Sequence, residues 1–106
     1  QGLKVLIIGN MAELGSRAGE LHSEVGREAR HAGIDVLIAL GEMAGLAADV
    51  FGENAKKFDS FERLISDVHR MLRPGVTVLV KGSRSAQMEQ VANALAGSSH
   101  SEAIAC

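Results

Sequence analysis

The sequence has no tryptophan, no tyrosine, one proline and one cysteine. Three phenylalanines are its whole aromatic content, so a core has to be built from aliphatic side chains. The cysteine is Cys106, the last residue, which rules out an internal disulfide and is compatible with a reducing, cytoplasmic setting. Neither sign of charge dominates: 11 Lys and Arg stand against 13 Asp and Glu, for a formal net charge of −2. That balance lacks the electrostatic footprint of a nucleic-acid binder or of a protein drawn to an anionic membrane. No apolar run approaches the roughly 20 residues of a membrane-spanning helix. Leu3 to Ile8 is too short, and wrongly flanked, for a signal peptide. What remains is a chain of 106 residues, 46% hydrophobic. It is long enough for one folded domain but small for a complete two-substrate enzyme. The first residue is Gln1 rather than Met, and strand-like sequence starts two residues later. The expectation is a piece cut from a longer chain at a linker, with processing as the alternative.

Hydrophobic patterning predicts alternating strands and helices. Leu3 to Gly9 is an almost continuous run of branched apolar residues, as in a parallel strand covered on both faces. After a loop over 10–16, Ala18, Leu21, Val25, Ala29 and Ala32 recur at steps of three and four and mark a helix. Glu20 near its start and Arg30 and His31 near its end suit the helix dipole, and Gly33 supplies a C-terminal cap. Asp35 to Gly41 reads as a second buried strand, and Glu42 to Val50 as a helix stopped by Gly52. Lys56-Lys57-Phe58 is a weak third strand. Asp59-Ser60-Phe61-Glu62 resembles a capping box that opens a helix with Phe61, Leu64, Ile65, Val68 and Leu72 on one face. Arg73-Pro74-Gly75 ends it, Thr77 to Val80 is the fourth strand, and Met88, Val91, Ala92 and Leu95 mark a last helix. The division expected is a domain over 1–97 and a flexible tail over 98–106, small and polar in composition.

Strands that alternate with helices make an α/β fold, a Rossmann-like three-layer domain with a mostly parallel sheet. Its expected strand order is 3-2-1-4, half of a doubly wound sheet. In that order strands 1 and 4 are neighbours whose connections leave in opposite directions, so their carboxyl ends open a crevice. Two polar stretches would face each other there: Gly9-Asn10-Met11-Ala12-Glu13-Leu14-Gly15 and Lys81-Gly82-Ser83-Arg84-Ser85.

The second stretch combines a flexible glycine, hydroxyls, two cations and the N-terminus of a helix, a set suited to a carboxylate or phosphate. Read more plainly, Ser85 caps the helix, Gly82 turns and the cations are solvated. In the first stretch Asn10 suits a hydroxyl such as a ribose, and Glu13 suits an amine. Their structural alternatives are an Asx-turn and a solvated loop acid. His22 lies on the first helix near the loop and is the one histidine that merits a functional reading. The four histidines make no metal-ligand set with the acids or Cys106, so no metal site is expected. There is no G-x-G-x-x-G and no G-x-x-x-x-G-K-[ST], so the chain has no phosphate-binding loop of either usual kind.

Gly9 to Gly15, then His22, Val25-Gly26, Ala32-Gly33-Ile34-Asp35, Val80 to Arg84 and Met88-Glu89 together resemble a known family over about 90 residues in order. It is the C-terminal domain of the bacterial Mur ligases, of the type that joins D-alanyl-D-alanine to UDP-N-acetylmuramoyl-tripeptide in peptidoglycan synthesis. The resemblance implies a Rossmann-like lid of a three-domain, cytoplasmic, ATP-dependent ligase that works through an acyl phosphate. Its partners would be the N-terminal and central domains of the same ligase, with ATP and magnesium held mainly by the central one. It implies that Asn10 contacts ATP, that Glu13, His22, Lys81, Ser83 and Arg84 bind substrate, and that the domain alone is inactive, with no catalytic residue of its own. Asn10 departs from the pattern, because the family usually has Asp there for the ribose. The other reading is a non-catalytic α/β module that binds a ligand or a partner.

Overall fold

The computed structural model describes residues 2–11, 15–81, 90, 91, 93 and 94, and the backbone of 101–105. Strand β1 (Lys4–Gly9) leads through a short 3-10 turn (Gly15–Arg17) into helix α1 (Ala18–His31). Strand β2 (Val36–Leu40), helix α2 (Glu42–Phe51), strand β3 (Ala55–Phe58), helix α3 (Phe61–Met71) and strand β4 (Val76–Lys81) follow in alternation. Strand β5 (Ser101–Ala105) completes the described elements.

The sheet has the order β3-β2-β1-β4-β5 and every pairing is parallel. The expected order 3-2-1-4 is therefore present, with one strand added beyond β4. Residues 101–105, within the stretch read as a tail, pair in register with β4, Val78 opposite Ala103. Ladder hydrogen bonds depend on the backbone, so a stretch with a weak apolar pattern can still add to an open edge. The helix expected between β4 and β5 falls mostly outside the described residues; residues 90, 91, 93 and 94 are helical and Val91 is buried.

Alternation along the strands divides the core in two. Val5, Ile7, Ile38, Leu40, Val76, Val78 and Val80 pack on one face with Leu64 and Val68 of α3. Leu6, Ile8, Leu37 and Ala39 pack on the other with Ala44, Ala47, Ala48 and Phe51 of α2 and Ala29 of α1. Burial on both faces is what a central parallel strand requires, and it explains why β1 and β2 read as unbroken apolar runs.

Helix boundaries follow local chemistry. Ser60 Oγ accepts the Arg63 N–H at 3.2 Å and caps α3. Arg63, rather than an acid, occupies the third helical position, so the reciprocal arm of a capping box is not made. At the end of α1, Gly33 takes φ +89°, Gly33 N–H donates to the Arg30 carbonyl and Ile34 N–H to the Ala29 carbonyl. These two bonds form a Schellman cap. Arg30 Nε donates to the Phe51 carbonyl at 2.9 Å, Nη2 bonds the same oxygen, and the guanidinium sits 4.4 Å from the Phe51 ring centroid. A cation of α1 thus closes the C-terminus of α2, where the helix dipole favours it.

The buried face of α1 is not the stripe that apolar spacing predicts. His22, Gly26 and Ala29 are buried, whereas Leu21 and Val25 are half-buried and Ala32 is exposed. The reason is the close approach of α2: a Cβ on Gly26 would lie 2.3 Å from the Ala47 carbonyl oxygen. A contact between helix backbones selects the smallest residue, which a hydrophobicity pattern does not register.

Candidate functional site

The crevice expected at the carboxyl ends of β1 and β4 rests on their adjacency, and the two strands are neighbours with Ile8 opposite Lys81. Lys81 is the last residue of β4 and is half-buried. Ile8 belongs to the core on the α1 and α2 side, so in-register Lys81 projects to that side too. There it borders a groove of about 220 Å³ whose walls include Leu6, Val25, Ala29 and Leu79. Its ammonium makes no hydrogen bond or ion pair with any described residue, in contrast to Lys56 and Lys57, which bind Asp67 and Asp49 at 2.9 and 2.8 Å.

Asn10, one residue beyond β1, does a task that spacing did not suggest. Its Oδ1 accepts the Ala44 N–H at 2.8 Å, in the first turn of α2. The residue at the N-cap of that helix is Gly41, which has no side chain to offer and takes φ +110°. A Cβ on Gly41 would lie 2.7 Å from Asn10 Oδ1. The glycine therefore opens space for a cap delivered from the neighbouring strand, and Asn10 fills it. A sequence signal for this exists in hindsight: a helix that starts at a glycine needs an acceptor from elsewhere.

His22 is fully buried. Its Nε2 accepts the Met11 N–H at 2.8 Å, and its Nδ1 lies 2.6 Å from the Ala18 carbonyl oxygen. Both ring nitrogens are thus engaged inside the chain. In this arrangement the imidazole ties the end of β1 to the start of α1. Its partners are two backbone groups, which no motif can reveal. Glu13, Ser83 and Arg84 lie outside the described residues.

Elsewhere, a cavity of about 740 Å³ opens beside α2 and the start of α3, lined in part by Glu42, Asp49, Lys57, Asp59 and Arg63. Three carboxylates among those walls oppose a phosphate or carboxylate ligand, and Lys57 is already paired with Asp49. Charge therefore favours the β1 and β4 ends over this larger space. Among the described residues, no group of three His, Cys, Asp or Glu is placed to hold a metal ion, and no helix is long and apolar enough to cross a membrane. Toward a nucleotide the described residues offer the Lys81 ammonium, and no phosphate loop.

Comparison with known proteins agrees with this geometry. Residues 2–84 match the family model described as Mur ligase, glutamate ligase domain. The UDP-N-acetylmuramoyl-tripeptide--D-alanyl-D-alanine ligase of Escherichia coli is 38% identical over 96 residues, which cover 89% of this chain and 21% of that protein. The ligase of the same description from Buchnera aphidicola is 34% identical over 92 residues, 85% of this chain and 20% of its own length. The crystal structure of MurF ligase from Thermotoga maritima in complex with ADP superposes with a TM-score of 0.72 at 27% identity, covering 89% of this chain and 22% of that one. A structure of MurF from Acinetobacter baumannii gives 0.74 at 26% identity, over 86% and 21%. The chain thus spans about a fifth of the length of these relatives. With the sheet order, the family model and the relatives in agreement, this chain belongs to the Mur ligase, glutamate ligase domain family.

Proposed function

We propose that the chain serves as the C-terminal lid of an ATP-dependent ligase that joins D-alanyl-D-alanine to UDP-N-acetylmuramoyl-tripeptide in the cytoplasm. The observation that carries this reading is the adjacency of the β1 and β4 ends in a chain whose family relatives bear that name. Lys81, with no partner among the described residues, holds the carboxylate of the incoming dipeptide as a charge-assisted pair. Ser83 and Arg84 follow it directly and extend the same binding stretch, and Glu13 takes the dipeptide amine. Asn10 contacts ATP while its Oδ1 caps α2. ATP supplies the phosphoryl group that activates the tripeptide carboxylate, and magnesium is held by the rest of the ligase. The share of catalysis that falls to this domain is positioning: the amine is held against the activated carboxyl group while domain closure excludes water. The domain by itself turns nothing over.

The test is an assay of the intact protein for ATP-dependent joining of D-alanyl-D-alanine, followed by phosphate release. Lys81→Ala is expected to raise the dipeptide KM about tenfold or more, the loss of one charge-assisted contact. An intact, folded protein that joins nothing would overturn the reading, and so would a Lys81→Ala variant with unchanged KM and kcat.

A further inference from the structure

We infer that His22 is a positioning residue, a neutral imidazole held as its Nδ1–H tautomer that latches the exit of β1 onto the first turn of α1. The partners decide the tautomer. A carbonyl oxygen can only accept, so Nδ1, 2.6 Å from Ala18 O, carries the proton. A backbone N–H can only donate, so Nε2, 2.8 Å from Met11 N, carries none. An imidazolium, or the other tautomer, would set Nε2–H against Met11 N–H, donor against donor.

The placement gives the latch a purpose. Met11 has left the ladder of β1, which ends at Gly9, and its N–H is partly buried, so it needs an acceptor. Ala18 opens α1. One ring therefore joins the two stems between which residues 12–14 run. Asn10 stands directly before the latched residue, with its side chain on α2. The ring thus fixes the direction in which the chain leaves the sheet at the crevice. A buried aliphatic residue would fill the space but leave the Met11 donor unpaired.

Three measurements on the intact protein test this. In the first, the imidazole ¹⁵N spectrum of His22 is expected to show a protonated Nδ1 and a bare Nε2; the opposite tautomer or an imidazolium overturns the inference. The second compares two variants. His22→Gln places an acceptor near the position of Nε2, whereas His22→Asn places its amide near Nδ1. Hydrogen exchange at the Met11 amide is expected to be roughly fivefold or more faster in the Asn variant than in the Gln variant. Equal rates overturn the latch. The third rests on the ligase reading: His22→Asn is expected to raise the KM for ATP several-fold, with kcat changed less and His22→Gln close to the parent. Equal KM values for the two variants overturn the positioning role. A parent that joins nothing counts against the ligase reading alone, because the spectrum and the exchange rates still decide the latch.

Discussion

The ends of β1 and β4 lie side by side in the sheet, yet they treat their polar groups in opposite ways. At the end of β1, Asn10 caps α2 and His22 holds the Met11 amide, so side chains that resemble ligand groups bind the protein itself. At the end of β4, Lys81 reaches the same side of the sheet with no described partner. One strand end is braced, and the other carries a charge that is unpaired among the described residues. Substitutions at the first should therefore act through stability and geometry, and substitutions at the second through binding.

The strongest way to break this contrast is at the support beneath the braced wall. Gly26→Ala puts a methyl group 2.3 Å from the Ala47 carbonyl oxygen, a backbone atom that cannot swing aside. It is expected to cost about 3 kcal/mol by separating α1 from α2. Urea unfolding measures this, and a loss below about 1 kcal/mol would mean that the helices do not cross so closely. Asn10→Ala comes next, with an expected loss of about 1 kcal/mol from an uncapped α2. Asn10→Asp keeps the acceptor and adds a favourable charge at a helix N-terminus, so it should be at least as stable as the parent. If Asn10→Ala unfolds like the parent, the cap has no energetic weight.

Lys81→Ala sharpens the comparison from the other side. Its unfolding free energy is expected to stay within about 0.5 kcal/mol of the parent, because the ammonium has no described bond to lose. A larger loss would make Lys81 a structural residue like Asn10. The smallest effect lies far from the crevice, at Asp67 of α3. The hydrogen bond from Lys56 lowers its carboxyl pKa from the ordinary value, with a further contribution from Arg70. A lowered folded value means that this stabilisation is full above the unfolded carboxylate range and is lost as pH falls through the folded value, below that range. Asp67→Asn should therefore flatten the acid limb of a stability-versus-pH curve only slightly, since pairs of this kind are worth about 0–1 kcal/mol. A steep loss at neutral pH would show that the pair matters more than its exposure implies.

The same Lys56 and Lys57 illustrate what is legible in a sequence. Ala55–Phe58 made a weak strand because it is short and charged. It is the edge of the sheet, where lysines discourage further pairing and here bind acids of α3 and α2. The strand order, and with it the adjacency of the β1 and β4 ends, followed from alternation and connection rules. The roles of Asn10 and His22 did not. Each is decided by a backbone N–H, of Ala44 or Met11, and every residue except proline has one. Apart from the glycine that opens α2, residue identity therefore carries no trace of which amide will need a partner.

By itself the sequence determined the α/β class, the central position of β1 and β2 and the family, because burial on both faces demands unbroken apolar runs and several motifs recur in order. Tertiary structure alone decided which polar groups brace the fold and which stay available to a ligand. The physical reason is that a buried amide takes whatever acceptor lies within about 3 Å, and that distance exists only once β1, α1 and α2 have packed.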